Sequence, residues 1–274
     1  MDAFDYAKRI QPGAANARVG RVILIGAGSG DPELLTLKAV RALQQADVVL
    51  ADDLVHPEVL RHAPASARVE RVGKRGGRVS TPQAMIHRLM LEAARRGQHV
   101  VRVKGGDPGL FGRLAEEVQA LRDAGIVADL VPGISAAQAA GVALGTGLTH
   151  RDFAHGVMLV TGHAQSGGTE PDWEVLGRAA HSAQLTLVVY MPRCHIDAIT
   201  SALLRGLPRG TPVAVVTDAS LPTEQRSFGT LEALQELVRA SDADHPCVCL
   251  IGNVLLASGA WQQAQPQAPQ ALAA

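Results

Sequence analysis

The residues best placed to do chemistry form a short run: Gly105-Gly106-Asp107, followed by Pro108. They close an apolar-basic strand, Val100-Val101-Arg102-Val103-Lys104, and precede a helix-like stretch from Phe111 to Ala124. Adjacent glycines let the backbone reach positive φ and approach a ligand closely. The aspartate and proline read as a helix cap and a pre-set first turn. In open α/β sheets, a strand ending in such a turn is where ligands bind. A second glycine loop, Gly26-Ala27-Gly28-Ser29-Gly30-Asp31, follows the strand Val22 to Ile25. It lacks the third glycine of G-x-G-x-x-G, because Asp31 stands in that place,. An aspartate at a helix entrance repels a pyrophosphate, so a ligand without phosphates fits better.

Further polar groups sit at loop positions. Asp52-Asp53 ends a strand, where a carboxylate can serve as general base or orienter,. Gly73-Lys74-Arg75-Gly76-Gly77-Arg78 places three cations on a glycine-rich loop. Arg113 and Glu116 share one helix face at i, i+3 spacing,. Thr149-His150-Arg151-Asp152 is a dense polar group before a strand, and Met191 lies at a C-terminal strand edge before Pro192. Cys194, Cys247 and Cys249 form no Cys-x-x-Cys pair, and the histidines show no His-x-x-x-His spacing. Two alternating thiols make no tetrahedral metal site and read as buried free cysteines.

Positioning these loops requires alternating strands and helices. Helices are expected from Asp31 to Ala46, Pro82 to Arg96 and around Ile134–Val142, Ile196–Leu204 and Leu231–Arg239. Strands are expected at 48–50, 69–72, 99–104, 127–131, 157–161, 186–190, 212–216 and 247–251. Repetition of strand, loop and helix predicts two α/β domains with mostly parallel sheets and a cleft between them. The expected boundaries are an N-terminal arm at 1–19, an α/β domain at 20–132, a second at 134–258 and a disordered tail at 259–274. The tail is rich in Gln, Ala and Pro and carries no charged side chain,.

Composition excludes several classes. The 274 residues carry 26 Lys plus Arg against 26 Asp plus Glu, and only 3% are aromatic. Neither a basic field nor a base-stacking surface for nucleic acid is present. No apolar run reaches the ~18 residues that span a bilayer, and the charged opening residues are not expected to act as a signal peptide,. A soluble, cytoplasmic protein is expected.

In order, Val22 to Leu37, Gly73-Lys74-Arg75, Lys104 to Pro108, Phe111-Gly112-Arg113, Val131 to Ser135, Leu148 to Asp152, Thr161-Gly162-His163 and Tyr190-Met191 resemble the motifs of the tetrapyrrole methylases. The resemblance covers about residues 19 to 258. Within the family, the Gly-Lys-Arg loop and the Thr-His-Arg-Asp segment resemble the uroporphyrinogen-III C-methyltransferases. The resemblance implies S-adenosylmethionine bound between the domains, a homodimer and no metal. It implies methylation of uroporphyrinogen III at carbons 2 and 7, through precorrin-1 to precorrin-2, for sirohaem, cobalamin or haem d1. By position it places Ser29, Gly105, Gly106, Asp107, Leu110, Ser135, Ala136, Met191, Ala219 and Cys247 on the cofactor. It gives Asp52 as proton acceptor and Lys74 as proton donor, with Arg113, Glu116 and Arg151 on the tetrapyrrole.

The sequence departs from the family pattern at Ser29, Ala51, Gly109, Leu114-Ala115, Pro192 and Thr217-Asp218-Ala219. Three other readings compete. A later precorrin methylase is opposed by the Gly-Lys-Arg and Thr-His-Arg-Asp segments. A nicotinamide-dependent oxidoreductase is opposed by the missing third glycine, and a non-catalytic sensor of the methyl donor by Asp52, Lys74 and Arg113.

Overall fold

The computed structural model describes residues 19–73, 81–163 and 168–264. Its first half is built on five strands: β1 (Val22–Gly26), β2 (Val48–Ala51), β3 (Arg68–Arg71), β4 (Val100–Lys104) and β5 (Ala128–Val131). Their order is β3-β2-β4-β1-β5, with every pairing parallel. Strands β1, β2 and β4 are buried along their whole length, as a parallel sheet covered on both faces requires,. Ile23, Ile25, Val49 and Val101 pack on one face under α1 (Leu37–Leu43) and α2 (Pro57–Leu60). Val22, Leu24, Val48 and Val100 pack on the other under α3 (Gln83–Arg95) and α4 (Leu114–Asp123).

From β1 the chain crosses one face of the sheet to β2, and from β4 it crosses the other face to β5, so the loops leaving these adjacent strands part to opposite faces. The crevice beyond their C-terminal ends is the switch point where such sheets bind ligands.

Helix α5 (Ala136–Ala143) leads into the second half. Its sheet comprises β6 (Gly156–Thr161), β7 (Leu185–Tyr190), β8 (Pro212–Thr217), β9 (Gln225–Thr230) and β10 (Cys247–Ile251), in the order β6-β7-β10-β8-β9. Here the expectation of a mostly parallel sheet is corrected. Only β6 and β7 run parallel; β7–β10, β10–β8 and β8–β9 are antiparallel. The cause is β9, an edge strand of sequence QRSFGT with little apolar periodicity. It turns back directly on β8 and leaves no room for a crossover helix. Helices α6 (Trp173–Ser182), α7 (Ile196–Gly206) and α8 (Leu234–Ala240) cover one face, while α5 and α9 (Gly259–Ala264) lie on the other.

Three local expectations also shift. The helix expected from Asp31 is a 3-10 turn at Pro32–Leu34, capped by Asp31, followed by α1 with Thr36 as its cap. The helix expected from Phe111 starts at Leu114, because Phe111 and Arg113 take positive φ. Residues 259–264 of the expected disordered tail form α9, pinned where Trp261 is buried edge-on against Phe228.

Candidate active site at the switch point

The glycine loops meet beyond β1 and β4. Gly28 and Gly106 exchange backbone hydrogen bonds of 3.2 and 2.7 Å, both at positive φ. Gly26 and Gly133 are wedged against the same segment: a Cβ at either would lie within 2.5 Å of the Gly106 carbonyl oxygen. Three strand ends therefore close on one another only because they carry no side chains.

Asp107 is not the helix cap expected of it. Its Oδ1 accepts from the Gly109 amide at 2.8 Å and its Oδ2 from the Gly133 amide at 3.0 Å. The carboxylate thereby ties the loop after β4 to the loop after β5. It also lines a cavity of about 370 Å³, with Leu110, Pro132, Gly133, Ser135, Ala137, Gln138, Leu148, Val157 and Leu159. These residues come from both halves of the chain. The cavity is within the ~300–1,000 Å³ of small-molecule sites, mostly apolar with a few convergent polar groups.

Of the residues expected at the cofactor, Asp107, Leu110 and Ser135 line this cavity. Gly105 and Gly106 lead into Asp107, and Ala136 opens α5. Ser135 shares a 2.5 Å hydrogen bond with the Tyr190 hydroxyl, which also accepts from the Ala137 amide. The Tyr190 ring meets Phe111 at a tilt, with centroids 5.0 Å apart, joining the two halves across the cleft. Met191, exposed and at φ 49°, follows directly. Ala219 packs in the apolar cluster containing Ala137 and Ala140. Cys247 departs from expectation: its side chain packs on the opposite face of the second sheet, toward α7 and α8. Only its main chain is left to serve the cleft. Burial pushes its thiol up, and that of Cys249 further.

Below the glycine loops lies a charge cluster. Arg102 and Lys104 share one face of β4 and are almost fully buried, at 2% and 4% side-chain exposure,. Arg102 Nε donates to Glu117 Oε1 at 3.0 Å, and Nη1 donates to the carbonyls of Leu50 and Val103. Lys104 Nζ donates to Glu117 Oε1 at 3.1 Å and lies 3.0 Å from Oε2. Gln83 adds a third bond to Glu117 Oε1, at 3.1 Å. Desolvation, then the Arg102 charge, pushes the Lys104 ammonium below its usual range, against the pull of Asp52 and Glu117.

Asp52 is the open end of this cluster, 30% exposed. Its Oδ1 accepts from Arg102 Nη2, while Oδ2 stands 3.9 Å from Lys104 Nζ. Asp53 instead packs against Gly73, with its Oδ2 buried and unpartnered among the described residues. Lys74 lies outside the described residues. Arg102 and Glu117 were not singled out from the sequence, although two cations two residues apart in an otherwise apolar strand were visible there.

Arg113 and Glu116 form a forked pair, Nε to Oε1 at 2.8 Å and Nη2 to Oε2 at 2.6 Å, both side chains half exposed. Their hydrogen bonds raise the guanidinium's affinity for its proton and lower that of the carboxylate. Arg151 is exposed and has no ion pair among the described residues.

Two α/β lobes with a ligand cavity at the switch point define a small-molecule enzyme of the α/β class, and comparison with known proteins narrows it. The family model of tetrapyrrole (corrin/porphyrin) methylases matches residues 21–235. The chain belongs to this family and is a methyltransferase. It is 48% identical over 236 residues to the uroporphyrinogen-III C-methyltransferase of Pseudomonas aeruginosa, covering 86% of this chain and 94% of that one. It is 44% identical to the siroheme synthase of Zymomonas mobilis, of which it spans 50%. Among solved structures, the uroporphyrin-III C-methyltransferase of Thermus thermophilus complexed with S-adenyl homocysteine aligns with a TM-score of 0.73 and 41% identity, covering 87% of this chain and all of that one. A cobalt precorrin-4 methyltransferase aligns with a TM-score of 0.75 at 30% identity, covering 86% of this chain and 95% of that one.

The cavity suits S-adenosylmethionine, which the family uses. It pairs apolar walls with one carboxylate and glycine-exposed main chain, and among the described residues none of its lining is a cation that would hold a phosphate. Among the described residues, no cluster of His, Cys, Asp and Glu could hold a metal, and no helix is long and apolar enough to cross a membrane.

Proposed function

We propose that this enzyme methylates uroporphyrinogen III at carbons 2 and 7, forming precorrin-2 through precorrin-1. The observation that carries the reading is the cavity at the switch point, with the partly exposed Asp52 at the C-terminal end of β2 in the same sheet, in a chain 48% identical to a uroporphyrinogen-III C-methyltransferase. Shape alone does not choose the substrate, since the cobalt precorrin-4 enzyme matches as well.

Bound in the cleft, S-adenosylmethionine supplies an electrophilic methyl group to an electron-rich pyrrole carbon. This chain's part is mainly positioning, which is worth much in such a transfer. Ser29, Gly105, Gly106, Asp107, Leu110, Ser135, Ala136, Met191 and Ala219, with the main chain of Cys247, hold the donor. The Asp107 carboxylate accepts from its polar groups, and Leu148, Val157 and Leu159 exclude water. Each alkylation costs the macrocycle one proton net, which Asp52 Oδ2 takes and passes to solvent; Lys74, as proton donor, protonates one ring position as a second proton leaves another, so methyl gained and proton lost stay in balance. Arg113 and Arg151 clamp substrate carboxylates, Glu116 yielding its place on Arg113 to them. No metal takes part. The working form is a homodimer in the cytoplasm.

The test is anaerobic incubation with uroporphyrinogen III and S-adenosylmethionine, followed by mass spectrometry. Gain of two methyl groups is expected. Turnover only on a precorrin already methylated would replace this reading with the later corrin step. Calorimetry should show S-adenosylhomocysteine binding and no NADP binding.

A further inference from the structure

We infer that Ser220 is a positioning residue for the cofactor: it clasps the first glycine loop to the second lobe and so sets how tightly the donor pocket closes. The inference rests on the methyl-donor reading above.

The clasp consists of three contacts between segments about 190 residues apart. The hydroxyls of Ser29 and Ser220 share a hydrogen bond of 2.9 Å. The Asp31 amide donates to Ser220 Oγ at 3.1 Å. Leu221 fills the space beside Gly30, where a Cβ would lie 2.6 Å from Leu221 Cγ. Gly30 therefore does more than loosen the loop: it admits a side chain of the other lobe.

The Ser220 turn is built to hold this position. Asp218 and Ser220 both take positive φ, 50° and 74°, which non-glycine residues adopt only when their surroundings enforce it,. The enforcement is on hand. The buried Asp218 Oδ2 accepts from Thr223 Oγ1 at 2.7 Å and pairs with His245 Nδ1 at 2.5 Å. The Ser220 amide donates to Glu224 Oε2 at 2.8 Å. Side chains of four residues, Asp218, Thr223, Glu224 and His245, thus fix a turn that presents one hydroxyl to Ser29 and the Asp31 amide. Ser29, one partner in this contact, and Ala219, which adjoins the other, come from different lobes, and the reading above assigns both to the donor. A ligand held between those lobes leaves more slowly when they are tied together.

The experiment measures S-adenosylhomocysteine binding and release by calorimetry and stopped flow, with steady-state kinetics, for wild type, Ser220→Ala, Ser220→Gly, Ser29→Ala and the Ser29→Ala/Ser220→Ala double variant. Ser220→Ala should raise Kd about 5-fold, mostly through faster release, the size of one or two neutral hydrogen bonds. KM for the methyl donor should rise more than kcat falls, a split that a general loss of structure does not produce. Ser220→Gly tolerates the same φ without the hydroxyl, so it should match Ser220→Ala. Ser29→Ala also removes Ser29's own part in holding the donor, so the double variant should lose more than Ser220→Ala but less than the sum of the two single losses, because the shared hydroxyl contact is lost only once. Wild-type affinity in Ser220→Gly, or additive losses in the double variant, would overturn the clasp while leaving the donor site in place. A wild-type chain that fails to bind S-adenosylhomocysteine would overturn the donor reading and the clasp together.

Discussion

Two Arg–Glu pairs use neighbouring glutamates of α4, one reaching inward to β4 and one staying at the helix start, and they differ in almost everything but chemistry. Arg102 and Glu117 are buried, at 2% and 0% exposure, and share their charge with Lys104 and Asp52. Arg113 and Glu116 are 55% and 50% exposed, and their fork involves no third charge among the described residues. Exposed pairs contribute little to stability and exchange partners readily. Buried ones are costly to break, because removing one partner strands the other in a low dielectric. The inner pair can therefore hold the floor of the site, while the outer pair is free to trade a carboxylate for one on a ligand.

The largest effect should come at Asp52, the one partly exposed charge of the inner cluster. Asp52→Asn keeps shape and removes the base, so turnover on uroporphyrinogen III should fall ~10²–10⁴-fold while S-adenosylhomocysteine affinity stays near wild type. Asp53→Asn should be milder, and the reverse ranking would move the proton acceptor to Asp53. Next, Glu117→Ala leaves Arg102 and Lys104 without their buried counter-charge. Urea unfolding should register a loss of about 3–5 kcal/mol. Glu116→Ala should stay within about 1 kcal/mol; equal losses at the two sites would erase the distinction between the pairs.

Smaller again is Arg113→Lys, which keeps the charge and loses the planar fork. Turnover should drop about tenfold, with donor affinity and stability unchanged. Parallel loss of donor affinity would make Arg113 a support of the cofactor loop instead. The smallest effect is a pH slope. The unfolded Lys104 keeps its proton to about 10.5, while the folded one releases it earlier. Between those points the unfolded chain binds more protons, so this group's contribution to stability rises with pH. The advantage of wild type over Lys104→Met should widen from neutral pH toward 10.5 in urea melts. A flat difference would mean that Glu117 and Asp52 offset the burial of the ammonium fully.

Much of the first lobe was legible because its signals are local. An apolar run for β1 and an apolar-basic one for β4, each ending in a glycine turn, mark these strands directly, and they place Gly28, Gly106 and Asp107 at the same end of the sheet. Pairing direction in the second lobe was not legible. A strand such as β10 has the same apolar pattern whether its neighbour runs with it or against it, and β9 carries no pattern to announce a hairpin. The role of Asp107 was misread for a similar reason. An Asp-Pro pair suits a helix start, but its acceptor oxygens found the amides of Gly109 and Gly133 first.

Residue order alone determined the family motifs, the α/β class and the glycine positions, because these depend on backbone freedom and on short-range periodicity. Only tertiary structure decided which charges meet. Glu117 is fifteen residues from Arg102 and aligns with no motif, yet folding α4 onto the sheet makes it the counter-charge of two buried cations. Ser29 and Ser220 are 191 residues apart, each at or beside a departure from the family pattern, and they touch only when the lobes close. Contacts of that kind follow from the packing of whole elements, and no local signal in the chain specifies them.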